Sequence, residues 1–243
     1  MMRYALLRMA RSYLALLLLV GVPLVLIAVI GTVSDYLQIE RYGDTSLPGM
    51  DYLAVSMVLG FQLFGGAYTM EFFKSDLLDA RKWRLHALPL RIDRYGMALL
   101  LGSTVFTMLQ GLAMAIFTQL MFGVNWGNYA WLVVVLAAVS FLSQLVGLVL
   151  ILSLRSAKLA ERLSEVYGIG SMLLAGFALP MPDTPLFEFF GRYGNPLSLG
   201  QNAVFGMLYG NDRLLPLLSV GLLFTASALL LPLAAAAGRR KLG

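Results

Sequence analysis

Apolar positions in this chain run in long blocks, not in the sparse one-face pattern of a soluble helix or the alternation of a strand. The blocks cover residues 13–33, 52–72, 95–122, 130–154, 166–179 and 214–237. About 20 predominantly apolar residues carry a helix across about 30 Å of hydrocarbon. The pattern therefore predicts an all-α membrane protein with six transmembrane helices. Pro23 sits inside the first block, which membrane helices tolerate when neighbours satisfy the freed carbonyl. The third block is long enough to cross with tilt. The fifth is short, and Gly168, Gly170 and Gly176 thin it further. Residues 180–213 hold two shorter apolar pieces, 186–190 and 197–208, interrupted by Gly191, Gly194 and Pro196. Pieces of this length predict re-entrant or interfacial helices between spans 5 and 6.

Polar positions within the blocks are few and ordered. Ser103, Thr107, Gln110, Met114 and Thr118 recur at helical spacing on span 3, and Ser140, Ser143, Gln144 and Gly147 form one stripe on span 4. Ser56 and Gly60 have the small-xxx-small spacing that lets helices approach closely. Four glutamines lie within the blocks: Gln62, Gln110, Gln119 and Gln144. Gln62, Gln110 and Gln144 are candidates for lining a substrate path or a subunit interface. The alternative is interhelical hydrogen bonding, worth about 1 kcal/mol or less each.

Charge completes the topology. The 243 residues are 59% apolar and 13% charged, with a mean hydropathy of +0.79; soluble domains carry about 25% charge. The basic residues of this +5 chain cluster at block ends, which accounts for them without a nucleic-acid partner. Residues 34–51 hold Asp35, Glu40, Asp44 and Asp51 against Arg41 alone and belong outside. Trp126, Tyr129 and Trp131 suggest an outer aromatic belt. Arg155, Lys158 and Arg162 mark an inside loop at 155–165, and Arg239, Arg240 and Lys241 an inside C-terminus. Arg3, Arg8 and Arg11 share about half a helical wheel before span 1. They read either as an interfacial helix or as a basic flank that sets orientation. The first block is long and no small-residue cleavage site follows it, so it reads as a span and not a removed signal. Both termini are expected in the cytoplasm, and residues 1–243 read as one membrane domain.

The stretch 73–96 is the main inside loop, carrying Lys74, Arg81, Lys82, Arg84, Arg91 and Arg94. A helix over about 75–88 would end before Pro89. Leu77, Leu78, Leu85 and Leu88 would share one arc, with Asp79, Lys82, Trp83 and His86 opposite. Such a helix would lie at the membrane surface and face a cytosolic partner. Trp83 reads either as a knob entering that partner or as an interfacial anchor.

Several chemistries have no residues here. Cysteine is absent and His86 is the single histidine, so thiolate and multi-histidine metal sites are excluded. No GxxxxGK[ST], HExxH or GxSxG occurs. No Asp, Glu, Lys or Arg lies deep in a block; Glu71 comes nearest, at an inner end. Ion-coupled carriers place such groups in the membrane, so uphill transport would draw its energy from another subunit. Asp183, Glu188 and Arg192 could form a weak outer enzymatic site, but solvated turn residues are the simpler reading.

Three features in order resemble the membrane subunits of ABC-2 type exporters, bacterial permeases for drugs, antibiotic peptides, lipids and polysaccharides. The basic loop ends in His86-Ala87-Leu88-Pro89; span 5 runs into Leu179-Pro180-Met181-Pro182; and Asn195-Pro196 follows about a dozen residues later. Ala80-Arg81 stand where that family often has Gly-Thr, and Lys158-Leu159-Ala160-Glu161 only loosely echoes its Glu-Asn-Ala element. The resemblance implies a non-enzymatic permease subunit in a bacterial plasma membrane, without a cofactor of its own. A cytosolic ABC ATPase would hold ATP and Mg, and a second permease subunit, identical or paralogous, would complete the pathway. Arg81, Lys82, Trp83, Arg84, Leu85, His86, Leu88 and Pro89 would form the ATPase-coupling helix. Arg3, Arg8 and Arg11 would lie on the interfacial helix, and Pro180, Pro182, Asn195 and Pro196 would belong to an outer gate. The substrate expected is a hydrophobic or amphipathic drug, antibiotic peptide or lipid. Alternatives are export of a lipid-linked polysaccharide, or a non-transport immunity or scaffold protein.

Overall fold

The computed structural model describes residues 8–9, 11, 17–36, 47–78, 92–177, 184–210 and 213–242, and these contain helices and turns but no strand. A π turn over Leu17–Gly21 leads into α1, Val22–Tyr36. The wider turn changes register just before Pro23, where the missing N–H interrupts the regular ladder. The second apolar block is two helices in line, α2 (Gly49–Leu63) and α3 (Gly66–Phe73), extended by a second π turn over Lys74–Leu78. The loop helix expected over 75–88 thus begins as a continuation of the span; residues 79–91 lie outside the described residues. Then come α4 (Ile92–Phe122), α5 (Tyr129–Ser153), α6 (Ala157–Leu174), α7 (Pro185–Arg192), α8 (Pro196–Leu208) and α9 (Leu214–Leu242).

Capping chemistry explains where the fifth span departs from expectation. The Ser156 side chain accepts from Leu159 N at 3.4 Å, so the helix starts at Ala157 and absorbs most of the charged stretch read as a loop. Gly176 then ends it, with φ +71°. Its N–H bonds Leu173 O and the N–H of Phe177 bonds Met172 O, the pairing of a Schellman motif. The helix therefore covers 157–174 and not 166–179.

Four helical segments among the described residues are long and apolar enough to cross a membrane: Gly49–Asp76, Tyr95–Phe122, Tyr129–Ser153 and Leu214–Lys241. The first expected span contributes a shorter apolar helix, Val22–Val33. The fifth misses the criterion because Lys158, Glu161, Arg162 and Glu165 crowd its first turns. The sequence expectation of six is thus met by four on length and composition.

Helix α5 is the hub, packing against α2, α3, α4, α6, α8 and α9. Two apolar cores lie along it. One gathers Leu53, Leu59, Met114, Trp126, Leu136 and Leu197; the other gathers Met9, Tyr68, Phe73, Leu100, Leu148 and Ala160. A polar layer lies between them. Outward faces stay apolar, with Val25, Leu120 and Leu217 among the exposed side chains. In a helix bundle without an aqueous surface there, lipid or another subunit covers such faces.

Candidate functional site

The polar layer explains the break between α2 and α3. In an unbroken helix Leu63 O would accept from Ala67 N and Gly66 N would donate to Gln62 O. Instead Ala67 N bonds Phe64 O, and Gly65 N takes Gln62 O. Ser143 of α5 satisfies both freed groups: its hydroxyl donates to Leu63 O at 2.5 Å and accepts from Gly66 N at 3.3 Å. The helices cross so closely that a Cβ on Gly147 would lie 2.6 Å from Gly66 O, and one on Gly66 2.6 Å from Ser143 O. Below the break, Thr69 Oγ1 lies 2.6 Å from both Ser103 Oγ and Gln144 Oε1, and Gln144 Nε2 donates to Thr107 Oγ1 at 3.2 Å. Above it, Ser140 donates to Gln62 Oε1 at 2.6 Å. The candidates Gln62, Gln110 and Gln144 are all buried within the single chain. Gln119 is exposed at the end of α4, where it accepts from the Tyr129 hydroxyl. On α2, Ser56 accepts from Gln201 of α8 at 2.7 Å, and Gly60 faces Met172 of α6. The small-xxx-small pair therefore meets two different neighbours.

One end of the bundle is organised by Arg8. It pairs with the buried Asp76 at 2.5 Å, donates to Ser75 at 3.1 Å, and lies 4.7 Å from the centre of the Phe72 ring. The Tyr95 hydroxyl donates to the same Asp76 carboxylate at 2.6 Å. Met9 is buried beside them. Through Asp76 the N-terminal segment is thus tied to both flanks of the basic loop, Ser75 and Asp76 before it and Tyr95 after it. Lys74 pairs with Glu161 at 3.3 Å, and Lys241 donates to Ile151 O and Leu154 O. Arg11 is exposed, and its N–H bonds Arg8 O. Arg3 and the coupling candidates Arg81, Lys82, Trp83, Arg84, Leu85, His86, Leu88 and Pro89 lie outside the described residues.

At the opposite end, Asn195 and Pro196 form a joint. Pro196 takes the first position of α8, where its missing N–H costs nothing. The Asn195 side chain caps that helix by accepting from Leu197 N at 3.2 Å. Its amide donates to Ser171 O of α6 at 2.7 Å and to Ser198 at 3.1 Å. Trp131 donates to Ala203 O at 2.9 Å, and Tyr52 stacks on Phe205. Pro180 and Pro182 lie outside the described residues. Trp126, expected in the outer aromatic belt, is buried and donates to Thr118 at 3.0 Å.

Asp51 was legible in sequence only as a loop acid. It stands in the first turn of α2, 7% exposed, accepting from Asn125 N at 3.2 Å and from the Tyr209 hydroxyl. A carboxylate suits the unpaired N–H groups of a helix start, and Pro48-Gly49 ahead of it was the available signal. Desolvation first, and the bond to Asp51 second, push the Tyr209 hydroxyl up to about 12.

Among the described residues no cluster of His, Asp or Glu could hold a metal. Comparison with curated proteins gives no match. Residues 1–209, spanning the Arg8 clamp, the polar layer and the Asn195 joint, match the ABC2_membrane family, described as ABC-2 type transporter. That match takes in well over half of the sequence, and the chain belongs to the ABC-2 type transporter family.

Proposed function

We propose that this chain is the permease subunit of an ATP-driven exporter, moving a hydrophobic or amphipathic substrate across a bacterial plasma membrane. The family match over residues 1–209 carries this reading. On it, α1 with its π turn, α2–α3, α4, α5, α6 and α9 are the six spans. The Arg8 clamp and Arg239–Lys241 face the cytoplasm, and Asp51 and Tyr209 face outward; the distribution of basic residues supports that orientation. A cytosolic ABC ATPase carries ATP and Mg, and a second permease subunit completes the pathway. The segment holding Arg81 to Leu88 is the coupling helix. The Arg8–Asp76–Tyr95 clamp supports this, because it fixes both ends of the basic loop to the bundle. Asn195 and Pro196 belong to the outer gate, and Gln62, Gln110 and Gln144 are the candidates for lining the pathway.

Reversal of Arg81, Lys82 and Arg84 to Glu tests the coupling assignment. The variant should stay monodisperse in detergent while capture of the ATPase falls at least about tenfold, as expected when several charge contacts are inverted. Undiminished capture would overturn the assignment.

A further inference from the structure

The short helix α7 packs chiefly on α6 and α8, and two ties hold its C-terminal end. Asn202 Nδ2 of α8 donates to Arg192 O at 2.8 Å, and a Cβ on Gly191 would stand 3.5 Å from Leu174 O at the end of α6. The same turn of α8 donates from Gln201 to Ser56, which puts Arg192 at a level about 10 Å along α2 from Gly49, at 1.5 Å per residue. The 28-residue segment Gly49–Asp76 is about 42 Å long and overreaches about 30 Å of hydrocarbon by about 6 Å at each end. The Arg192 backbone therefore stands close to the hydrocarbon boundary, within reach of lipid phosphates for a long side chain that extends toward water.

Side-chain chemistry at this end matches a phospholipid from head to tail. The Arg192 guanidinium is exposed and forms no ion pair among the described residues, not even with Glu188 one turn earlier. It lies 5.6 Å from the centre of the Tyr193 ring, which in turn lies 6.3 Å from Phe189. Phe189 and Tyr193 are 58% and 39% exposed, as aromatic anchors at a membrane–water boundary are. Tyr193 also lines an open cleft of about 350 Å³, whose other walls include Leu142 of α5 and Leu222, Ala226 and Leu229 of α9. Leu222 and Leu229 are themselves exposed on the apolar flank of α9, so the cleft opens to the bilayer. A cation suits the last turn of a helix, but that alone leaves unexplained an unpaired guanidinium stacked on a ring that lines an apolar cleft. A phosphodiester supplies the acceptors for the guanidinium, and its acyl chain fills the cleft without needing a polar partner.

We infer that this end of the molecule binds one phospholipid, with its phosphate on Arg192 and an acyl chain in the cleft below Tyr193. The inference rests on the membrane placement of the chain and not on its coupling to an ATPase. Its failure would leave the exporter reading standing.

The probe is a phosphatidylglycerol with a photoreactive diazirine in its acyl chain. The full chain is reconstituted in phosphatidylcholine nanodiscs with increasing mole fractions of the probe and irradiated, and the adducts are mapped by mass spectrometry. Saturable labelling at Leu222 or Leu229, displaced by unlabelled phosphatidylglycerol, is expected. Arg192→Gln should raise the half-saturating mole fraction about 5-fold, the worth of one basic residue at an anionic membrane surface. Ala226→Phe, which places a ring in the cleft, should abolish saturable labelling there. Should either variant not stay monodisperse, the other decides. Non-saturable labelling spread over the exposed residues of α1 and α4, or an unchanged half-saturation in Arg192→Gln, would overturn the site. So would efficient disulfide-linked dimers of Phe189→Cys in the membrane, since the chain has no native cysteine and a second copy would then cover this surface.

Discussion

Asn195 holds the joint between α6 and α8 by three bonds at once: the cap on α8, the amide on Ser171 O, and the contact with Ser198. Asn195→Ala should cost about 1–3 kcal/mol, the cap and one buried acceptor together, read as a lower thermal midpoint in detergent. The native chain has no cysteine, so Ser198→Cys gives a clean reporter. Ser198 is buried, and maleimide labelling of that cysteine should speed up in the Asn195→Ala background. Unchanged labelling would show that α8 stays docked without the joint. Tyr209→Phe removes a donor from a buried carboxylate and should cost about 1–2 kcal/mol. The pH sign follows from the raised Tyr209 value of about 12 against an ordinary 10.0. The folded state holds that proton more tightly, so its contribution is complete below pH 10 and fades as pH climbs toward 12. Tyr209→Phe should lose this alkaline component, checked by unfolding midpoints across that range. At this scale the sequence is legible where a residue acts through local geometry, as in the Asn195–Pro196 cap. Asp51 was hidden because its partners, Asn125 and Tyr209, are distant in sequence.

The paired helices α2 and α3 show what a block of apolar residues conceals. Hydropathy sees one span, and Gly49–Asp76 is one by length and composition. The break at Phe64–Gly65 depends on Ser143 of another helix to satisfy Leu63 O and Gly66 N, so no local signal announces it. The serine and glycine stripe on α5 was legible; its partner was not. Gly147→Ala should destabilise by about 1–3 kcal/mol because its Cβ meets backbone, which cannot rotate away. Gly66→Ala should cost a similar amount. The double variant should cost less than the sum, since either change already parts the same crossing. Gly170→Ala is the control: among the described residues nothing outside its own helix backbone lies within 4 Å of a Cβ there, and the midpoint should hold or rise slightly. Equal losses at all three glycines would contradict the crossing. Gln144→Leu should cost about 1–2 kcal/mol, because membrane hydrogen bonds are individually modest and Thr69 and Thr107 each lose a partner. The same thermal measurement checks it.

Across the whole molecule, block lengths and charge placement gave the membrane class, the order of helices and the pair of shorter helices before the last span. These follow from solvation alone, which every residue reports independently. The start of α6 at Ala157 was less legible, because a serine cap outweighs a charged surface turn. The two-core arrangement with a polar layer between them could not be read at all, since it arises only when α2–α3, α4 and α5 meet. The arrangement also divides the molecule into two ends. One clamps the N-terminal segment to the flanks of the basic loop through Arg8; the other holds α8 through Asn195 and Asp51. The most direct test of the exporter reading is capture of the full chain from its native membrane in mild detergent, with mass spectrometry of what accompanies it. A P-loop ATPase in stoichiometric amount is the predicted result. Its absence, with the chain intact and after cross-linking in the membrane, would contradict the exporter reading.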